Sequence, residues 1–469
     1  MKIEQIYTGC LAQGAYYIVS ENEAVIIDPL RETQPYIQRA KEDDVTIKYI
    51  LETHFHADFV SGHLDLAKKT GATIVYGPNA NPSYPVHIAT DGEILHVGKI
   101  KIKVLHTPGH TMESSCFLLF DEEDKEHALF SGDTLFIGDV GRPDLAQKSA
   151  SMTQDELAGL LYSSLRTKIM TLPDSLIIYP AHGAGSACGK NMSKETTDTL
   201  GNQKSTNYAL RKDMTESEFI TEVTTGLLPP PAYFGMNVAL NKTGYNSYDE
   251  VFKRGMHALK INEFEELRMD PEKLILDTRS AADFAHSFIP GSISIGLEGQ
   301  FAPWVGALIP DINQKIVLIT DKDKTEETIK RLSRVGYDQV LGYLEDGIES
   351  WIEAGKPIDS IERVTADELM AEINNHHLVI DVRKPGEFEA EHIENVDNLP
   401  LDFINENMHK YPKDEPFTIH CAGGYRSIIA ASILKARGYN QVKDVIGGYA
   451  AISKTNIKRT NFVCPTTLK

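Results

Sequence analysis

Short apolar runs rich in β-branched residues recur through the first half of the chain. They are YYIVS (16–20), AVIID (24–28), IKYILET (47–53), TIVYG (73–77), KIKVLHT (101–107), SCFLLF (115–120), HALFSG (127–132) and SLIIYPA (175–181). Each is bounded by Gly, Pro or Asp and reads as a strand. Between them, PYIQRAKED (35–43), SGHLDLAKKTG (61–71) and QDELAGLLYSSLRTKIMTL (154–172) read as helices, the last with leucines at helical spacing. The three prolines and Gly/Asn/Ser-rich tail of LLPPPAYFGMNVALNKTGYNS (227–247) predict the end of a first domain near Tyr245.

The pattern then repeats itself. LILDTRSAADFAHSFIPGSISI (274–295) aligns with LVIDVRKPGEFEAEHIENVDNL (378–399), and VLITDKDKTEETIKRLSRVGYDQV (317–340) with FTIHCAGGYRSIIAASILKARGYNQV (417–442). A period of about 100 residues is domain-sized and too long for a solenoid. It predicts a tandem duplication in which each copy is a small parallel α/β sheet. EAGKPIDSIERVT (353–365) reads as the linker between copies. The expected domains are therefore 1–245, 262–358 and 363–469.

Composition narrows the partners. A net charge of −20 argues against nucleic acid or an anionic membrane surface, both of which need a basic face. No apolar run reaches the length of a membrane span, and the N-terminus lacks the charged-then-apolar order of a secretory leader. The five cysteines, Cys10, Cys116, Cys188, Cys421 and Cys464, are sparse and irregularly spaced, which disfavours a disulfide framework. A reducing cytoplasm is the expected location.

Candidate chemistry gathers at strand ends. IKYILET runs into His54, His56 and Asp58; KIKVLHT is followed by His110, HALFSG by Asp133 and SLIIYPA by His182. Taken singly, such a histidine is usually an ordinary polar residue. Four strands each ending in an N or O donor are what a metal site needs, because ligands on one rim of a sandwich converge in space. His63, His87, His96, His106 and His127 lack that setting and read as ordinary residues.

The motifs THFHAD, HTPGHT, FSGDTLF and YPAHG resemble the metallo-β-lactamase superfamily over about the first 240 residues. The resemblance implies an αββα sandwich with the metal at one edge. A dinuclear member would hold its second metal with Asp58, a histidine at 59 and His182, but residue 59 is Phe59, which has no donor atom. His54, His110 and Asp133 remain as a two-imidazole, one-carboxylate set suited to a single Fe(II), although zinc accepts the same ligands. His56, Asp58 and His182 then become groups that orient ligands and bound water.

This combination is similar to the persulfide dioxygenase branch, which oxidises the terminal sulfur of a low-molecular-weight thiol persulfide with O2 to sulfite. That implies one Fe(II) per chain and a homo-oligomer. By the same resemblance Arg142, in LFIGDVGRPDLAQ (135–147), faces the anionic substrate. Cys188, six residues past His182, is placed near the metal rim, where a relay or redox role is open to it.

TIHCAGGYRSIIAASILKARGY is the second centre. A strand runs into Cys421, and the loop through Gly423, Gly424 and Arg426 leads into a helix. Backbone N–H groups, the helix N-terminus and Arg426 all favour the thiolate, so its pKa is expected below the free-thiol value. With IDVRKPGEFEAEHI upstream, residues from about 363 resemble a rhodanese domain, which makes Cys421 the sulfur acceptor and Asp381 and Arg383 structural. In the middle copy Asp321 stands in the place of Cys421 and DKDKTEET lacks the glycines, which predicts an inactive rhodanese-like domain. The whole resembles a persulfide dioxygenase–sulfurtransferase fusion whose second product is thiosulfate. The rival readings are a thioester hydrolase of the glyoxalase II kind and a non-oxidising sulfur carrier.

Overall fold

A computed structural model describes residues 1–227, 229–373 and 377–463; Cys464 lies outside the described residues. They divide into two compact units, Met1–Tyr248 with Ser333–Gly336, and the remainder.

Strand alternation explains the layering of the first unit. In Gln13–Ser20, Tyr16 and Ile18 point to one face of the sheet and Ala15, Tyr17 and Val19 to the other, and all are buried. A strand buried on both sides needs cover on both sides. One six-stranded sheet runs in the order Lys2–Thr8, Gln13–Ser20, Glu23–Ile27, Thr46–Glu52, Thr73–Tyr76, His87–Ile88. The second runs Asp198–Thr199, Ile177–Pro180, Glu126–Gly132, Ser115–Phe120, Ile100–His106, Ile94–Val97. Ile18, Val25, Leu51 and Val75 of the first meet Ile102, Val104, Phe117 and Phe130 of the second in the central core. Tyr36, Ala40 and Leu66 from helices Gln34–Glu42 and His63–Thr70 cover the outer face of the first sheet. Leu161 and Phe219 from helices Gln154–Ser164 and Glu216–Thr224 cover that of the second. This is the αββα sandwich that the motifs implied.

The second unit holds two five-stranded parallel sheets of identical order: Ala258–Leu259, Val340–Leu344, Lys315–Ile319, Lys273–Asp277, Ile293–Ser294, then Glu362–Val364, Val442–Val445, Phe417–His420, Leu378–Asp381, Asp397–Asn398. Their strands pair in parallel throughout. The repeated Asp-x-Arg is internal scaffolding in both. Arg279 and Arg383 close back on Asp277 and Asp381, each with its nearest contact at 2.6 Å.

Helices that the pattern left unread lie in and on either side of the stretch read as a domain end: Glu216–Thr224 before it, Phe234–Thr243 within it and Tyr248–Gly255 after it. Thr215 and Glu218 form a reciprocal capping box that the T-x-x-E spelling announces. Phe234–Thr243 carries Gly235, Asn237 and Asn241, poor helix formers, and is held by burial of Phe234 and by the hydrogen bonds of Asn241. The linker 353–365 is in part the strand Glu362–Val364. No helix among the described residues is long and apolar enough to cross a membrane.

Candidate functional site

The metal loop is built from below by Asp28. This residue follows the strand Glu23–Ile27 at a φ of 49° and accepts hydrogen bonds from Thr53 N–H and Thr53 Oγ1–H, both at 2.8 Å. Because Thr53 Oγ1 spends its proton on Asp28, it accepts from His54 Nδ1–H at 2.9 Å. The tautomer is thereby set, and His54 Nε2 is left as a lone pair. His110 is fixed the same way, its Nδ1–H donating to the Arg142 carbonyl at 2.9 Å, and His182 Nδ1 lies 3.3 Å from the Ala12 carbonyl. Outer partners of this kind aim imidazoles at a metal.

The freed atoms converge. Asp133 Oδ2 lies 3.3 Å from His110 Nε2 and 3.8 Å from His54 Nε2, and Asp133 Oδ1 lies 3.7 Å from His182 Nε2. Both Asp133 oxygens and His182 Nε2 are buried with no hydrogen-bond partner. Buried acceptors facing one another without donors are costly, and a cation between them removes the cost. Burial, then the neighbouring His56, His110 and His182, pushes the His54 pKa well below its ordinary value, so the ring is neutral and ligand-competent. The donor chemistry therefore fits a metal at His54, His110 and Asp133. Gly141 fits tightly behind it: a Cβ there would sit 2.0 Å from the Asp133 carbonyl and 3.0 Å from His110 Nδ1.

His56, Asp58 and His182 form a second set of three donors within 4.8 Å of one another, and Asp133, His182 and Cys188 a third. Phe59 is fully buried, its ring 4.3 Å from that of His56, so carbon fills the flank where a histidine would stand. Burial opposes charge on His56, yet Asp28, Glu52 and Asp58 outweigh it and hold its pKa up to about 9. The Cys188 thiol is buried at this rim. Burial, with Asp58 and Asp133 beside it, pushes its pKa well up, so it is a neutral thiol.

Arg142, expected to face the substrate, has its side chain engaged by its own neighbours. Its guanidinium is buried and bidentate to Asp144 at 2.6 and 2.7 Å, and also donates to the Ala187 carbonyl. The charge is spent inside the protein. The main chain of Arg142 does the work instead: its carbonyl holds His110 and its N–H donates to the Cys188 carbonyl at 2.9 Å.

Sequence reasoning missed Asn241. From the helix Phe234–Thr243 its amide donates to the His56 and Phe59 carbonyls, each at 2.8 Å, and accepts from Ser61 N–H at 2.9 Å. One side chain thus pins the whole metal loop. Asn241→Leu leaves three buried main-chain groups unpaired, so unfolding in urea should show the first unit destabilised by roughly 3 kcal/mol, with faster loss of metal to a chelator. The only sequence signal was an Asn after an apolar run in a stretch that reads as a loop.

His63 was read as ordinary, but it lies fully buried with Nδ1 3.5 Å from Glu52. Burial, then the charges of His56 and Arg31, lowers its pKa from 6.5 to about 3. Between those values the unfolded chain binds a proton that the folded one refuses. Its stability contribution is whole above pH 6.5 and is lost as pH falls toward 3. Metal-stripped protein should lose about 2 kcal/mol from this group near pH 5, a loss absent in His63→Gln when unfolding free energies are compared.

In the second unit Cys421 is buried at the end of Phe417–His420. Gly424 N–H donates to its sulfur at 3.1 Å and Ser427 Oγ–H at 3.4 Å. Gly424 sits at a φ of 106°, the turn that swings its N–H inward. Tyr449 N–H and Ala450 N–H hold the Cys421 and Ala422 carbonyls from outside at 2.7 and 3.0 Å. Arg426 is not aimed freely at the sulfur; it is bidentate to Glu387 at 2.6 and 2.8 Å. Gly423 is exposed at the mouth, and Asp321 in the middle domain is exposed with no such cradle.

Known proteins match these two halves separately. The metallo-beta-lactamase superfamily model matches residues 8–182, and the rhodanese-like domain model matches residues 260–354 and 365–455. A probable hydroxyacylglutathione hydrolase of Schizosaccharomyces pombe is 31% identical over 182 residues, covering 38% of this chain and 66% of that protein, a little under two thirds of its length. The mitochondrial persulfide dioxygenase ETHE1 of Mus musculus is 30% identical over 221 residues, covering 47% and 78%. The crystal structure of a metallo-beta-lactamase from Staphylococcus aureus subsp. aureus COL is 34% identical with a TM-score of 0.65, covering 73% of this chain and 98% of that one. The chain belongs to the metallo-β-lactamase superfamily. More narrowly, it is a fusion: a metallo-β-lactamase domain with persulfide dioxygenase homologues, followed by a rhodanese-like pair.

Proposed function

We propose that the first domain is a persulfide dioxygenase holding one Fe(II) at His54, His110 and Asp133, and that Cys421 is the acceptor of a sulfurtransferase. The observation that carries the reading is the convergence of buried His54, His110 and Asp133, with both Asp133 oxygens left without a hydrogen-bond partner, beside a Phe59 that offers no donor. Iron so bound supplies the electron transfer that joins O2 to sulfur. The protein's own part is positional. Thr53 and the Arg142 carbonyl hold the imidazoles with their lone pairs inward. His56, Asp58 and His182 orient substrate and water at the open side. Cys188 is a protonated thiol at the rim, suited to hydrogen-bond an anionic persulfide.

The overall change is RSSH + O2 + H2O → RSH + SO3²⁻ + 2H⁺. At Cys421 the thiolate attacks the outer sulfur of a second persulfide, giving Cys421–S–S⁻ and RSH. Sulfite then attacks that sulfane sulfur, the S–S bond breaks, and thiosulfate leaves with the thiolate restored. The N–H of Gly424 and the hydroxyl of Ser427 stabilise negative sulfur at each stage. Carrying both sites on one chain raises the effective concentration of sulfite at its acceptor. A cytoplasmic homo-oligomer is part of this reading.

A second reading is favoured by one observation. His56, Asp58 and His182 still gather as three donors without residue 59, and hydroxyacylglutathione hydrolases are among the relatives. That reading is a dinuclear thioester hydrolase. Metal quantitation on anaerobically purified protein, followed by oxygen uptake with several thiol persulfides, separates the two. One iron per chain with persulfide-dependent oxygen uptake is expected. Two zinc ions per chain with thioester hydrolysis and no oxygen uptake overturns the proposal. Sulfur transfer without metal or oxygen uptake would instead mark a sulfur carrier.

A further inference from the structure

The middle domain lacks a thiol, yet it reaches the Cys421 cradle. Tyr425 is the cradle residue between Gly424 and Arg426, and its hydroxyl donates to the Gly296 carbonyl of the middle domain at 2.8 Å. The ring lies over two glycines. A Cβ on Gly296 would stand 3.6 Å from it and one on Gly299 3.7 Å, so the loop 296–299 forms a close-fitting seat for the ring. The Arg279 carbonyl, 2.9 Å from the same Gly296 position, closes the other side.

The seat is itself held in place. Arg331, from the helix Thr325–Arg334, donates to the Leu297 carbonyl at 2.7 Å and pairs with Glu327. The helix Tyr425–Ala436, into which the cradle loop leads, is tied to the same domain: Ser294 N–H donates to Ser432 Oγ at 2.9 Å. Anchoring Tyr425 at its hydroxyl and its ring holds the residue next to Gly424, and with it the turn at φ 106° that presents the Gly424 N–H. The Gly424 N–H is the donor nearest to the sulfur among the described contacts.

We propose that the middle domain is half of the sulfur-transfer site: its 296–299 loop seats Tyr425, a positioning residue that keeps the cradle N–H groups aimed at Cys421. This rests on the reading of Cys421 as a sulfur acceptor. It gives the domain with Asp321 a task that needs no chemistry of its own. A persulfide on Cys421 is stabilised only while those N–H groups stay in register, so loosening the seat costs thiolate character and transfer rate together.

The test uses the full-length chain with Tyr425→Ala, Tyr425→Phe and Arg331→Leu. Two readouts are taken: the pH profile of Cys421 alkylation by iodoacetamide, followed on its peptide by mass spectrometry, and sulfur transfer from a thiol persulfide to sulfite. The charged groups around the cradle are Arg426 paired with Glu387, Asp402 beside Arg426, Arg363 paired with Asp444, and Arg331 and Glu298 beside Tyr425. Both Tyr425 variants keep all of them, so a profile shifted in Tyr425→Ala reports cradle geometry. Arg331→Leu, which removes one cation, is read by whether kcat falls together with the shift. Tyr425→Ala is expected to raise the alkylation midpoint by about one pH unit and to lower kcat about tenfold. Tyr425→Phe, which keeps the ring, stays within about threefold of wild type. Arg331→Leu, in the other domain, shifts both readouts in the direction of Tyr425→Ala while oxygen uptake is unchanged. A wild-type alkylation midpoint and kcat in Arg331→Leu overturns the proposal even if Tyr425→Ala fails to fold. If the wild type forms no Cys421 persulfide, the sulfurtransferase reading fails, and the alkylation profiles still decide whether the middle domain positions the thiol.

Discussion

Cys421→Ser is expected to abolish enzymatic thiosulfate formation, a loss of about 1,000-fold or more, while oxygen uptake continues and sulfite accumulates in its place. Serine keeps the shape of the cradle and its contacts with Gly424 and Ser427, so folding should be preserved. What it removes is the soft nucleophile: an alkoxide is not available at neutral pH, and an oxygen cannot hold sulfane sulfur as a persulfide. Product analysis by ion chromatography, with oxygen consumption measured in parallel, checks it. Thiosulfate formed by Cys421→Ser at the wild-type enzymatic rate would break the link between the two sites. Loss of oxygen uptake as well would mean that the first domain depends on sulfur passed through Cys421.

Asp133→Ala is the complementary experiment. It takes away the one carboxylate that faces His54, His110 and His182 together. Without it His54 and His110 have no carboxylate facing them both to complete the ligand set. Iron content should fall to background, and persulfide-dependent oxygen uptake by about 1,000-fold. Sulfur transfer from persulfide to sulfite supplied from outside should persist, because Cys421 belongs to the other compact unit and takes no contact from Asp133. Asp133→Glu tests geometry against charge. Its longer arm keeps the charge but crowds a site where Gly141 already abuts the Asp133 carbonyl, so metal should be retained weakly and turnover lost. Full iron loading with normal oxygen uptake in Asp133→Ala would place the metal on His56, Asp58 and His182 instead.

Much of this was legible in one dimension. The strand ends carrying His54, His110, Asp133 and His182 could be read because a short, doubly buried strand is spelled by an unbroken apolar run, and a donor after such a run stands out. The duplication could be read because two sheets with the same strand order need the same pattern of apolar positions. The edges of the sandwich were less visible. Lys2–Thr8 is half exposed and spells KIEQIYT, so its alternation is diluted by polar residues that an edge strand tolerates. The helix Phe234–Thr243 was hidden by its own composition, because Gly235, Asn237 and Asn241 are poor helix formers and the contacts that Asn241 makes to the metal loop are not spelled locally.

The sequence by itself determined which atoms were available: two imidazoles and a carboxylate at strand ends, a phenylalanine without a donor at 59, and a cysteine before a glycine-containing turn. Those are matters of covalent identity and local pattern, which need no long-range contact to be known. Only the tertiary structure decided where each charge was spent. Arg142 read as a cation facing substrate and Arg426 as one favouring the Cys421 thiolate, but Asp144 and Glu387 lie within reach in the fold and take the two guanidinium groups in bidentate pairs. Likewise Asn241 reaches the metal loop across more than 180 positions of chain, and Tyr425 finds its seat on Gly296 in a neighbouring domain. Pairing of charges and placement of hydrogen bonds depend on distance in space, and that distance is what folding creates.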